Sequence, residues 1–150
     1  MNLIPIPAAA GVAILAIGGR PALAPSHAPV ALTITGTDYA FHLPAHIRRG
    51  ETTFAFENHG RVRHEMVIAR LKPGMSGDSA MRSIQSGSRR RDFIDGQVGL
   101  IVSEPGEPAE PRVWLDLLSG RTYLVVCNLV DAPDKPPHAR LGMIATFQPE

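Results

Sequence analysis

The sequence predicts an all-β fold: a two-sheet Greek-key sandwich of about seven to eight short strands with one short helical excursion. Three observations predict it. Glycine and proline number 14 each among 150 residues, a density of chain-breaking residues that suits short strands and turns rather than long helices. Apolar residues recur at every second position in several short runs, the periodicity of a half-buried strand. Turn residues such as Asn58-His59-Gly60, Lys72-Pro73-Gly74 and Ser119-Gly120 separate these runs. The length, with 44% hydrophobic residues, suits one domain with a real core.

The elements follow in order. Residues 31–35 set Leu32 and Ile34 against threonines, a strand pattern. Residues 39–43 form a second extended run, stopped by Pro44. In residues 51–58, Phe54 and Phe56 share one face and Thr53, Ala55 and Glu57 the other, before a turn at Asn58-His59-Gly60. Residues 64–71 alternate Met66 and Ile68 with Val67 and Ala69, and Lys72-Pro73-Gly74 ends the strand. Residues 76–86 carry Ala80, Met81 and Ile84 on one side of a short helix. Arg89-Arg90-Arg91 reads as a solvated loop, since Asp92 and Asp95 dilute its charge. Residues 98–102 predict an edge strand, followed by a proline-rich loop over 104–111. Residues 113–118 and 121–127, joined by Ser119-Gly120, predict a β-hairpin. Residues 144–147 supply the last strand. There is no internal repeat and no low-complexity tract.

Charge and cysteine content narrow the function classes. A formal net charge of +1 gives no electrostatic case for nucleic-acid binding. One cysteine excludes an internal disulfide and a four-cysteine metal knot. At the N-terminus, residues 4–17 are apolar and uncharged but interrupted by Pro5 and Pro7, too short a stretch to span a bilayer comfortably. Ala22-Leu23-Ala24 then supplies a small-x-small cleavage pattern. Residues 1–24 are therefore expected to be a signal peptide, leaving a periplasmic or secreted domain over 25–150 that begins with a short linker at 25–29. Without Arg20 that domain is formally neutral. No Lys or Arg precedes the apolar run, so an uncleaved membrane anchor is the competing reading. Exported compartments oxidise thiols. An unpaired Cys127 there must be buried, partnered between chains, or bound to something.

The C-terminal third offers something to bind. Cys127, His138 and Met143 fall on one connection between two predicted strands. Thiolate and thioether sulfur with imidazole nitrogen is a donor set that suits copper in both oxidation states. A second imidazole comes from His64, at the start of a strand and in phase with Met66 and Ile68. Two His, one Cys and a weak axial Met make the trigonal blue-copper set. Each residue alone has a plainer reading: Cys127 as a small buried hydrophobe, His64 as a hydrogen-bonded histidine at the core edge, Met143 as packing. His59 is a rival ligand but belongs to the turn. His42 and His46 flank Pro44 in a segment expected to be exposed, with no second metal site.

These segments resemble the cupredoxin (type 1 blue copper) family, in particular its small exported bacterial single-domain members. The resemblance is carried by Phe56-Glu57-Asn58-His59-Gly60 followed by His64-Glu65-Met66-Val67-Ile68. Tyr123 to Cys127, in Tyr-x-x-x-Cys spacing, then leads to His138 and Gly142-Met143. It covers most of residues 30–148, more loosely over 75–110. It implies one copper ion held by His64, Cys127, His138 and Met143, used for one-electron transfer to transient redox protein partners. In such families electrons usually pass through a partly exposed C-terminal histidine. Here that would be His138, with Pro136, Pro137, Ala139 and Leu141 as an apolar surround and Lys135 and Arg140 to orient a partner. Two departures stand out. Ten residues separate Cys127 from His138, more than in most small blue copper proteins. Glu65 stands where the family often has Asn, and its carboxylate is expected to favour Cu(II) and lower the potential. A copper enzyme would need a His-x-His pair or a His beside the cysteine. No His-x-His occurs, and Val126 and Asn128 flank Cys127, so no catalysis is expected. Copper delivery or storage, and a copper-free interaction module, are the alternatives.

Overall fold

Among the described residues, the alternating segments become eight strands in two four-stranded sheets. The computed structural model describes residues 30–89, 92–110 and 112–150. The expected leader at 1–24, the linker at 25–29, and Arg90 and Arg91 of the arginine run lie outside them. The first sheet runs β2 (Ala40–His42), β1 (Val30–Thr37), β3 (Gly50–Asn58), β6 (Arg112–Leu117). The second runs β5 (Ile94–Ser103), β4 (His64–Leu71), β7 (Tyr123–Val126), β8 (Ile144–Phe147). β1 and β3 pair in parallel, and the remaining neighbours are antiparallel. Among the described residues, no helix is long and apolar enough to cross a membrane.

Period-two burial explains the layers. Ile34, Phe54, Phe56, Leu115 and Leu117 face Met66, Ile68, Ile101, Tyr123 and Val125 across the sandwich. The other face of the second sheet carries Val67, Ala69, Leu71, Leu124 and Val126, which meet Ala80 and Ala139 in a smaller core. β7 is therefore buried on both faces, which accounts for its unbroken apolar run. Ala80 sits on helix α1 (Gly77–Gln85), capped by Ser76, whose hydroxyl accepts the Ser79 N–H at 3.2 Å.

The structure corrects the hairpin. Residues 113–118 and 121–127 are strand-forming as expected, but β6 pairs with β3 and β7 with β4 and β8. Their connection is an arch between the sheets, because Leu115 and Leu117 reach the core from one side and Tyr123 and Val125 from the other. Within the arch, the Leu118 N–H donates to the Tyr123 hydroxyl at 2.9 Å. A Ser-Gly pair serves an arch as well as a hairpin. β5 is an edge strand, as predicted, but longer than the expected 98–102. Two register shifts against β4 blur its alternation. A second helix, the single turn α2 (His138–Leu141), replaces what read as plain loop.

This topology gathers particular chain ends. β1 and β3 run in parallel and finish side by side, with Gly36 opposite Asn58. β4 begins beyond the next turn with His64. β7 runs antiparallel to β4, with Val126 opposite Val67, so Cys127 emerges beside the start of β4.

Candidate metal centre

His64 and Cys127 meet at that end of the sandwich, and α2 brings His138 to them. The Ala139 N–H donates to the Cys127 carbonyl at 2.8 Å and the His138 N–H to the Leu129 carbonyl at 2.9 Å. The ten-residue connection is thus pinched at its base. Gly142 then adopts φ +118, a left-handed turn that glycine makes without a Cβ penalty. It returns the chain so that the Met143 N–H bonds the His138 carbonyl at 3.0 Å and the Met143 carbonyl accepts from the Cys127 N–H at 3.1 Å.

The resulting donors converge. One ligating atom from each of His64, Cys127 and His138 lies within 4.8 Å of the others, and all three residues are buried. His138 Nδ1 is 3.1 Å from His64 Nδ1 and 3.4 Å from Cys127 Sγ. Two inward-facing imidazole nitrogens at that distance need a proton or a cation between them. Burial, then the neighbouring His138, pushes the His64 pKa down, favouring the neutral imidazole that a metal requires. Burial pushes the Cys127 thiol up, against hydrogen bonds from the Glu65 and Leu129 N–H groups; a bound cation would supply the charge a thiolate needs there. One thiol and two imidazoles, all buried and close together, are a donor set that suits copper.

Each expected site residue has a clear place. His64, Cys127 and His138 come together. Met143 is fully buried beside them, tied to Cys127 and His138 by the backbone bonds above. Its methyl would lie 3.2 Å from a Cβ built on Gly36. His59 is exposed and pairs with Glu57 at 3.3 Å. His42 bonds the Thr37 hydroxyl and His46 bonds Glu150, both on the surface and apart from the cluster. One expectation fails: His138 is not partly exposed but 1% accessible. Tyr39 and Asp131 cover it. Ala139, expected in the apolar surround, packs inward instead.

Around the donors lie residues that sequence reasoning missed or saw only as charge. Asp131 accepts from His138 Nε2 at 2.8 Å and from the Tyr39 hydroxyl at 2.6 Å. These two bonds, Tyr39 first, hold its carboxyl below the usual range. The Tyr39 ring stands edge-on to His138, with centroids 5.0 Å apart. Behind His64, Nε2 has no hydrogen-bond partner and faces Asp38 at 3.8 Å. Asp38 is already engaged by the Arg61 N–H and Nε, both at 2.7 Å. The Glu65 N–H points at Cys127 Sγ from 3.4 Å, while its carboxylate accepts from both the N–H and side-chain amide of Asn128 at 2.9 and 2.8 Å. Asn58, buried, bonds the Val62 and Ser103 carbonyls and accepts from Gly60, fixing the turn before His64. Only Asn58-x-Gly60 and Glu65 had a local signal in the sequence.

No protein-family model matches the chain, and no curated protein sequence matches it significantly. Solved structures do. Dithionite-reduced auracyanin from Roseiflexus castenholzii aligns with a TM-score of 0.51 at 15% identity, covering 83% of this chain and 99% of its own. Auracyanin B aligns with a TM-score of 0.54 at 17% identity, covering 83% and 91%. The chain has the cupredoxin fold. Within that cupredoxin fold, the cluster sits where β3 and β7 end and β4 begins.

Proposed function

We propose that the protein is an exported carrier of single electrons, not an enzyme, built around one type 1 copper ion. His64, Cys127 and His138 would hold it, and Met143, buried and backbone-bonded to Cys127 and His138, would add a weaker thioether donor. One observation carries this reading: one thiol and two imidazoles, all buried, converge at the end of a cupredoxin sandwich. Copper, when bound, supplies a one-electron Cu(II)/Cu(I) couple. The protein supplies a frame that moves little between the two states. His64 begins a paired strand, Cys127 follows one, and α2 is bonded to both Cys127 and Leu129. Export follows from the leader expected over 1–24, and copper ligation gives a lone thiol in an oxidising compartment a reason to stay unpaired. A transient redox partner docks over Tyr39 and Asp131, where Val130 and Leu141 are 47% and 44% exposed.

The test loads the purified chain with one equivalent of copper and cycles it with dithionite and ferricyanide. A carrier cycles reversibly and keeps its copper. Surrender of Cu(I) to a moderate chelator in the reduced state supports delivery or storage instead, and absence of binding leaves an interaction module.

Two substitutions refine the ligand set. Met143→Leu nearly conserves volume, so stability should fall by less than about 1.5 kcal/mol. Loss of the axial thioether should nonetheless raise the potential. An unchanged potential and spectrum would return Met143 to the core. Glu65→Gln keeps an acceptor for Asn128 and removes only the charge. Its potential is expected to rise, and a variant identical to wild type in voltammetry would sink the electrostatic role.

A further inference from the structure

We propose that Asp131 is a positioning residue for the copper site. Its carboxylate fixes His138 with the Nδ1 lone pair turned inward and biases the site toward Cu(II), while Tyr39 moderates that bias. This rests on the copper reading above and adds the device that tunes it.

The chemistry starts from the hydrogen bond. An ionised carboxylate only accepts, so the His138 nitrogen 2.8 Å from Asp131 Oδ1 is the one that carries hydrogen. Nδ1 is then the bare nitrogen, and it is the atom 3.4 Å from Cys127 Sγ and 3.1 Å from His64 Nδ1. A ligating imidazole whose far N–H is held by a carboxylate is oriented and made a stronger donor. The negative charge behind the ring stabilises the more highly charged metal state more. His64 has no equivalent, since its Nε2 is 3.8 Å from Asp38, too far for a hydrogen bond. The orienting hydrogen bond is therefore made only at His138, while the Asp38 charge behind His64 is already paired with Arg61.

Tyr39 carries a second, independent sign of purpose. It is the one non-glycine residue with positive φ among the described residues, at +63. Such backbone strain persists where surrounding structure enforces it, often at ligand clamps. The strained turn between β1 and β2 aims its hydroxyl at Asp131 Oδ2 from 2.6 Å. That bond draws charge away from the oxygen pair facing His138. The long Cys127-to-His138 connection thus carries the carboxylate that a shorter loop would lack. Asp131 itself keeps a third of its side-chain surface in water, so replacing it disturbs little packing.

The experiment measures Cu(II) and Cu(I) affinities by chelator competition, and the midpoint potential, for wild type, Asp131→Asn and Tyr39→Phe. Asp131→Asn should weaken Cu(II) binding relative to Cu(I) on the order of tenfold, within the range for lost outer-sphere partners. For one electron that ratio is a rise of about 59 mV. Tyr39→Phe, which leaves Asp131 on His138, should hold the potential or lower it. An unchanged or lowered potential in Asp131→Asn overturns the proposal. So does an equal rise in both variants, because a simple cover would give that result. Failure of the wild-type chain to bind copper overturns the copper reading itself, and this inference with it.

Discussion

Phe56→Ala is expected to lower the unfolding free energy by about 3–5 kcal/mol, the usual range for emptying a fully buried phenylalanine site. Phe56 has no accessible surface. Its ring lies 5.8 Å from that of Phe41, and it fills the space that a Cβ on Gly36 would need, at 2.7 Å. The Met143 methyl borders the same space. The cavity would therefore open beside Met143, the proposed fourth ligand, and its backbone ties to Cys127 and His138 leave little freedom to collapse into it. Urea unfolding of the metal-free chain checks this. A loss below 1 kcal/mol would show that the two sheets close over the gap.

Gly60→Ala should strike the centre without removing any ligand. A Cβ there would lie 2.6 Å from Asp38 Oδ1, 2.8 Å from His64 Nε2 and 3.1 Å from Asn58 Oδ1. None of the three can easily retreat. Asp38 is held twice by Arg61, Asn58 is buried with its amide bonded to two carbonyls, and His64 is wholly enclosed. Overpacking of this kind costs about 1–3 kcal/mol. Pushing His64 off its line should weaken copper binding about 10- to 100-fold, comparable to losing a group that orients a ligand. Competition titration alongside a thermal melt reads both effects. Wild-type affinity in a folded Gly60→Ala chain would mean that His64 is not held where the metal sits.

How much of this was legible in the sequence depended on range. The segment 64–71 was readable to its ends because alternation and the Lys72-Pro73-Gly74 stop are local. The one-sided placing of Ala80, Met81 and Ile84 likewise marked α1. The cluster of His64, Cys127 and His138 was legible because a thiol and an imidazole on one connection, with a second imidazole in phase on a strand, point to a shared ion. The failures were failures of partnership. The strand character of 113–118 and 121–127 was evident, but pairing is a tertiary choice, and here the chain crosses between sheets. Burial of His138 depended on Tyr39 and Asp131, which are 92 residues apart and share a hydrogen bond that no spacing rule describes. Glu65 was visible as a charge. Its grip on Asn128 appears only once β4 and β7 are in register.

The most direct test of the central claim is the visible spectrum of the purified chain on adding one equivalent of Cu(II), compared with Cys127→Ser. A type 1 site predicts an intense thiolate-to-copper charge-transfer band in the wild type and none in the variant. The claim is contradicted if the wild type stays colourless, or if the band survives the loss of the thiol.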